Sequence, residues 1–260
     1  MRISLIGSGN VATHMGAAFK NAGHHIVQVY SPNLQNAALL AYHLKAEPID
    51  NLGQISPDTD IFIIAAKDDA IPDIAASLAR HGVLTVHTSG ATDMAVFQNH
   101  FENFGVFYPL QTFSKTRELN FWQVPLCLEA SSYEVYLTLR ELAQTVSNNI
   151  YQVDSQQRRI LHLSAVFACN FPNLLYNIAQ QILADNRLDF NIVRPLILET
   201  AQKVQELLPS QSQTGPAVRG DEQTMAAHLA LLTKQPNLQD LYKILSQEII
   251  KMDIAQRQAD

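Results

Sequence analysis

Gly7-Ser8-Gly9-Asn10-Val11-Ala12 is the segment whose residue types and spacing speak most directly of chemistry. In a G-x-G-x-x-A spacing the binding groups belong to the backbone. Gly7 allows a tight turn, Gly9 lets the main chain approach a diphosphate, and Ala12 lets a helix pack close to a strand. Free N–H groups at the start of that helix, from Ser8, Gly9, Asn10 and Val11 onward, then face the phosphates. Two further constellations lie far downstream. His162 and Asn170 are eight positions apart, roughly 80° around a straight helix, so one titratable group and one amide clamp face the same cleft. In Thr214-Gly215-Pro216-Ala217-Val218-Arg219-Gly220-Asp221, an arginine beside two glycines suits a two-pronged clamp on a carboxylate or phosphate. Asp221 reads as the N-cap of a helix on whose face Thr224 and His228 are neighbours.

These side chains need a scaffold, and its period changes once along the chain. Up to about Val153 the pattern alternates between strand and helix. Apolar runs at 2–6, 25–30, 60–65, 83–87, 105–108, 125–129 and 150–153 are separated by helical stretches at 11–22, 34–44, 73–80 and 133–146. Such alternation predicts a doubly wound parallel sheet covered on both faces. From Ser155 on, the alternation stops. Helical spacing runs over 156–184, with Pro172 predicting a kink near Asn170-Phe171, and then over 192–208, 222–232 and 238–255. The expected organisation is an α/β dinucleotide-binding domain over 1–153 and an all-helical domain over 154–260.

In open α/β sheets ligands bind beyond the carboxyl ends of the strands. Ser31 follows the second strand, where an NAD enzyme often places an acid for the ribose hydroxyls. A hydroxyl does not repel a 2′-phosphate, which tips the balance toward NADP with NAD as the alternative; Ser31-Pro32-Asn33 also reads as a plain turn. Ala65-Ala66-Lys67 follows the 60–65 strand and permits close approach of a flat ligand. Asp68 or Asp69 is expected to cap the next helix, with Pro72 in its first turn. Thr88-Ser89-Gly90 offers small hydroxyls beside a nicotinamide ribose. Tyr108 stands at the same sheet edge with a phenol able to donate a proton, or packs there with its hydroxyl satisfied.

Composition narrows the classes. With 18 Lys and Arg against 24 Asp and Glu, and no basic cluster, the chain lacks a nucleic-acid footprint. No apolar run reaches the roughly 20 residues that span a bilayer. The chain opens directly into a strand, so no leader peptide is expected, and Cys127 and Cys169 are unpatterned. A cytoplasmic protein with reduced thiols is the corresponding expectation.

Taken together, the glycine motif, Lys67-Asp68-Asp69-Ala70-Ile71, His87-Thr88-Ser89-Gly90, Tyr108-Pro109-Leu110-Gln111-Thr112-Phe113, His162 with Asn170-Phe171, and Gly215-Pro216 with Arg219-Gly220-Asp221 carry a resemblance. Over its whole length the chain resembles bacterial proteins that join a Rossmann-like NADP-binding domain to the helical domain of unknown function 2520. More distantly it is similar to pyrroline-5-carboxylate reductases, deazaflavin-dependent NADP oxidoreductases and prephenate dehydrogenases. The resemblance implies a cofactor in the N-terminal domain, a helical domain that dimerises, and an oxidoreductase activity. Tyr108-Pro109 replaces the His-Pro of prephenate dehydrogenases, and the Lys and Asn pair of hydroxyacid dehydrogenases is absent.

The reaction expected is hydride transfer between nicotinamide and a C=O or C=N carbon of a small, carboxylate-bearing molecule. His162 is the first choice for proton donor or acceptor, then His228 and Tyr108; Asn170 orients the reacting atom, and Arg219 anchors substrate charge. The rival expectation is a dinucleotide-binding sensor or scaffold without catalysis, whose cleft would be apolar or filled. Apolar Leu241, Ile244, Leu245, Ile249, Met252 and Ile254 on the last helix suit packing within the domain or, as the sharper expectation, the interface of a homodimer.

Overall fold

The computed structural model describes residues 1–259. β1 (Arg2–Ile6), α1 (Asn10–Asn21), β2 (His25–Tyr30), α2 (Leu34–Leu44) and β3 (Glu47–Ile49) form the first half of a sheet. β4 (Ile61–Ile64), α3 (Ile71–Leu78), β5 (Leu84–His87) and β6 (Phe104–Pro109) form the second. β7 (Leu126–Ala130), α4 (Tyr133–Gln144) and β8 (Ile150–Gln152) extend its far edge. The strand order is β3-β2-β1-β4-β5-β6-β7-β8, with the direction of winding reversing between β1 and β4. Ile61 to Ile64 of β4 are all fully buried, as a strand covered on both faces requires.

The alternation of strands and helices predicted a parallel sheet. The sheet is not wholly parallel, because β7 runs antiparallel to β6 while β8 is parallel to β7. A parallel return needs a crossover, usually a helix, and the connection from Leu110 to Pro125 holds only a short 3-10 turn at Phe121–Gln123. β3, a three-residue strand against β2, carried too short an apolar pattern to be read.

Apolar side chains gather on both faces. Met15 and Phe19 of α1 and Leu40 and Leu44 of α2 pack against Leu5 and Ile63 on one face. Ile71, Ile74 and Leu78 of α3 cover Ile6, Phe62 and Ile64 on the other. Neither Asp68 nor Asp69 caps α3, contrary to expectation. Both fall inside a 3-10 turn, so the N-cap position passes to Ala70, whose side chain accepts nothing; Pro72 does sit in the first turn.

Beyond β8 come α5 (Ser155–Ala165), a π-helical turn (Val166–Asn170) and α6 (Phe171–Asp185). The break expected at Pro172 takes the form of that π turn, whose altered register accommodates a residue that has no N–H for the carbonyl four positions back. Contacts divide the chain into a unit over Met1–Leu175 and a unit from Tyr176 on. The boundary expected after Val153 therefore falls inside the first unit, which retains α5. The second unit holds α7 (Arg194–Glu206), α8 (Pro209–Ser212), α9 (Glu222–Leu231) and α10 (Pro236–Ala259). No described helix is long and apolar enough to cross a membrane.

Candidate active site

The loops after β1, β2, β4, β5 and β6, with α5, enclose a cleft of about 990 Å³, at the upper end of the range for ligand sites, roughly 300–1,000 Å³. It lies over the point where the winding reverses, the place where open α/β sheets hold ligands. From β2 to β6 it crosses four inter-strand spacings, roughly 19 Å. Gly7, Ser8, Gly9, Asn10, Val11, Ser31, Ala65, Ala66, Lys67, Thr88, Ser89, Gly90, Tyr108 and His162 all line it. Ala12 lies directly behind, fully buried against the sheet.

Gly7 makes the tight turn that its position required. Gly7 has φ +133°, and a side chain there would overlap the Ala65 carbonyl at the end of β4. Its N–H donates to the Tyr30 carbonyl at 2.8 Å, tying β1 to β2 where the cleft opens. Gly9 is the N-cap of α1 and offers no side-chain acceptor to the first N–H groups. In contrast, Asn33, Ser132 and Asp154 cap α2, α4 and α5 with their own oxygens. A Cβ on Gly9 would meet no protein atom within 4 Å, so the space over these free amides is open. Uncapped N–H groups beneath open space fit a diphosphate. Asn10 Nδ2 donates to the Phe113 carbonyl at 2.9 Å, and His14 Nε2 lies 2.9 Å from the Ser114 carbonyl, holding the loop after β6 against α1.

At the β2 end, Ser31 is buried and accepts a long bond from Asn33 N–H at 3.4 Å, while Asn33 Oδ1 accepts from Gln35 and Asn36. The turn and the wall of the cleft are thus the same residues. Leu52, Asp73, Ile74 and Ser77 complete this end. Sequence reading missed them, although Ile74 and Ser77 share a helix face three positions apart. Lys67 is the one lysine or arginine on the cleft wall among the described residues.

Polar groups converge at the other end. The Tyr108 hydroxyl lies 3.1 Å from Nδ1 of His162, with the rings edge to face. Burial, and secondarily Cys127, push the Tyr108 phenol up to about 12, so it holds its proton at neutral pH. The phenol can therefore donate to Nδ1 of an imidazole whose own proton sits on Nε2, or accept from Nδ1–H in the other tautomer. Both rings crowd Gly90, where a Cβ would sit 2.8 Å from each. Ser89 Oγ accepts from Ala91 and Thr92 N–H, at 3.0 and 2.9 Å, and so fixes the turn. Beneath it His87 is fully buried. Ser89 N–H donates to its Nδ1 at 3.1 Å, and burial, reinforced by the Arg158 charge, pushes its pKa down to about 3.

Asn170 is exposed at the end of the π turn and does not line the cleft. The angular argument that paired it with His162 assumed an unbroken α-helix. The remaining predicted residues lie in the second unit. Asp221 caps α9, accepting from Thr224 N–H at 3.0 Å and Thr224 Oγ1 at 2.7 Å, and these bonds hold its carboxyl below the usual range. His228 Nδ1 lies 2.9 Å from the Tyr242 hydroxyl on α10, and Arg219 is exposed in the preceding loop.

Residues 1–110 match a Rossmann-like domain, and residues 124–249 match a domain of unknown function, DUF2520. No protein of curated function matches the chain. Among solved structures, a Bacteroides fragilis protein provisionally described as an NADP oxidoreductase is 43% identical, over 96% of this chain and 98% of its own, with a TM-score of 0.92. A Streptomyces aurantiacus imine reductase shares the fold at 12% identity and a TM-score of 0.70, with 99% of each chain covered. A Coxiella burnetii pyrroline-5-carboxylate reductase does so at 14% and 0.58, with 97% of each covered. The chain belongs to the family that joins a Rossmann-like domain to DUF2520.

Proposed function

We propose that the protein is an NADP-dependent oxidoreductase that reduces a C=O or C=N carbon of a small anionic molecule, or runs the reverse. The observation that carries the reading is the Tyr108–His162 pair at one end of a cleft that has free backbone amides at its middle. Bound there, NADP(H) would supply or accept the hydride, which is the step that no side chain here performs. The protein's contribution is alignment and a proton. Gly9 and the start of α1 would hold the diphosphate, Ser31 would meet the adenosine ribose or its phosphate, and Thr88, Ser89 and Gly90 would support the nicotinamide end. His162 gives its Nε2 proton to the oxygen or nitrogen of the reduced bond while its Nδ1 takes the Tyr108 proton, so the ring stays neutral throughout. The exposed imidazole then takes a proton from water at Nε2 and returns the one on Nδ1 to the phenolate.

A sensor without catalysis would need no such convergence of titratable groups, and its cleft would be apolar or filled. The polar end of this cleft favours the enzyme. Lys67 gives an anionic ligand its counter-charge. The named activities of the Bacteroides fragilis, imine reductase and pyrroline-5-carboxylate reductase structures point the same way.

The assembly we propose is a homodimer through the helical unit. Ala217 is its one buried apolar residue among those described, whereas Leu196, Leu198, Ile244 and Met252 are each more than half exposed. So much exposed apolar surface on so few residues calls for a second copy.

The cofactor reading is tested by thermal-shift titration with NADPH and NADH. A ligand of the native state alone must raise the melting point with concentration. A rise with NADPH at lower concentration than with NADH is expected. No rise with either would remove the proposal.

A further inference from the structure

Arg158 is the largest side chain in the protein with no solvent exposure, and no step of the proposed reaction uses it. It sits on α5 one turn before His162, about 6 Å along the same helix face. Its guanidinium is a clamp on two other elements. Nη1 pairs with the Glu129 carboxylate on β7, and Nη2 donates to the Thr92 carbonyl in the loop after β5. Ser155, at the start of α5, joins the same cluster. Its N–H and Oγ donate to Glu129 at 2.9–3.0 Å, and its Oγ accepts from Met94 N–H and from Arg158 Nη2, both at 3.1 Å. The elements clamped here are the ones that meet at the catalytic end. The loop after β5 carries Gly90, α5 carries His162, and β7 is paired to β6, which carries Tyr108.

A buried ion pair is a poor device for stability, since desolvating two charges offsets their attraction. What it fixes well is direction. The Arg158 fork has only one placement that serves a carboxylate on one element and a carbonyl on another. We propose that Arg158 and Glu129 are positioning residues that set α5 so that His162 meets Tyr108 over Gly90. The inference rests on the catalytic reading of that pair. The mechanical reason is short range: a 3.1 Å bond ceases to be one beyond about 3.5 Å, so a small slide of α5 frees the ring.

The test replaces the pair by apolar side chains of similar size, Arg158→Met with Glu129→Leu, and reads the ¹⁵N resonances of His162. They are recorded at about pH 8, above the ordinary imidazole pKa. In the parent protein Nδ1 should read as an unprotonated acceptor and Nε2 as protonated. In the double variant the two nitrogens should average toward a free imidazole, while NADPH still raises the melting point. A His162 signature unchanged in the folded double variant overturns the proposal. Should that variant not fold, Glu129→Gln, which keeps an acceptor oxygen but drops the charge, decides in the same way. A parent protein that shows the fixed tautomer yet binds neither NADPH nor NADH would refute the oxidoreductase reading and leave the positioning role standing.

Discussion

His87 makes the stability of the sheet depend on pH in a way that can be worked out from its surroundings. It is fully buried, its Nδ1 is occupied by Ser89 N–H, and its Nε2 has no partner among the described residues. Its pKa is about 3 in the folded protein against 6.5 when free. Between those values the unfolded chain binds a proton that the native state refuses, so stability falls as pH falls from 6.5 toward 3. The slope approaches about 1.4 kcal/mol per pH unit, which gives about 2 kcal/mol lost by pH 5. His24 and His81, whose pKa values burial also lowers, add their own shares. The His87 share is isolated by His87→Asn, whose oxygen can still accept from Ser89 N–H but does not titrate in this range. Urea unfolding of both proteins near neutrality and at about pH 5 gives the comparison. The parent should lose about 2 kcal/mol more than the variant. Equal losses would mean that His87 reaches solvent or a partner before unfolding, and the argument for its neutrality would fail.

Three further outcomes follow from the geometry. Gly9→Ala should leave the melting temperature unchanged, since the new methyl meets no protein atom, but should weaken NADPH binding by about 10- to 100-fold, the worth of one charge-assisted hydrogen bond. Gly7→Ala should instead lower stability or folded yield, because of its positive φ and the Ala65 carbonyl; an unaltered NADPH affinity in folded Gly9→Ala would put the diphosphate elsewhere. Light scattering should give twice the 28.9 kDa chain mass, and a monomer would withdraw the second copy from the helical face.

The α/β half was legible in the sequence because its signals are local. Gly7, Gly9 and Ala12 act through backbone conformation and near neighbours, and the alternation of apolar strands with helices fixes the winding. Residues at or just beyond a strand's last residues must sit at the sheet's carboxyl edge, and for that reason Ser31, Thr88, Ser89, Gly90 and Tyr108 could be placed on the cleft wall without coordinates. The capping of α9 by Asp221 was legible for the same reason. Where an assignment depended on contacts between distant segments, the sequence was silent or misleading. The antiparallel return of β7 turns on what the Leu110–Pro125 connection lacks. Asn170 was placed by assuming a straight helix that the π turn interrupts. Arg158 looks like any surface arginine until α5 docks on β7 and the loop after β5, which lie 29 and 66 residues away in the chain. Likewise, only tertiary structure decided that Tyr108 and His162, 54 residues apart, share a hydrogen bond over Gly90. Side-chain chemistry is written one residue at a time, but a pair exists only where packing brings its two members together.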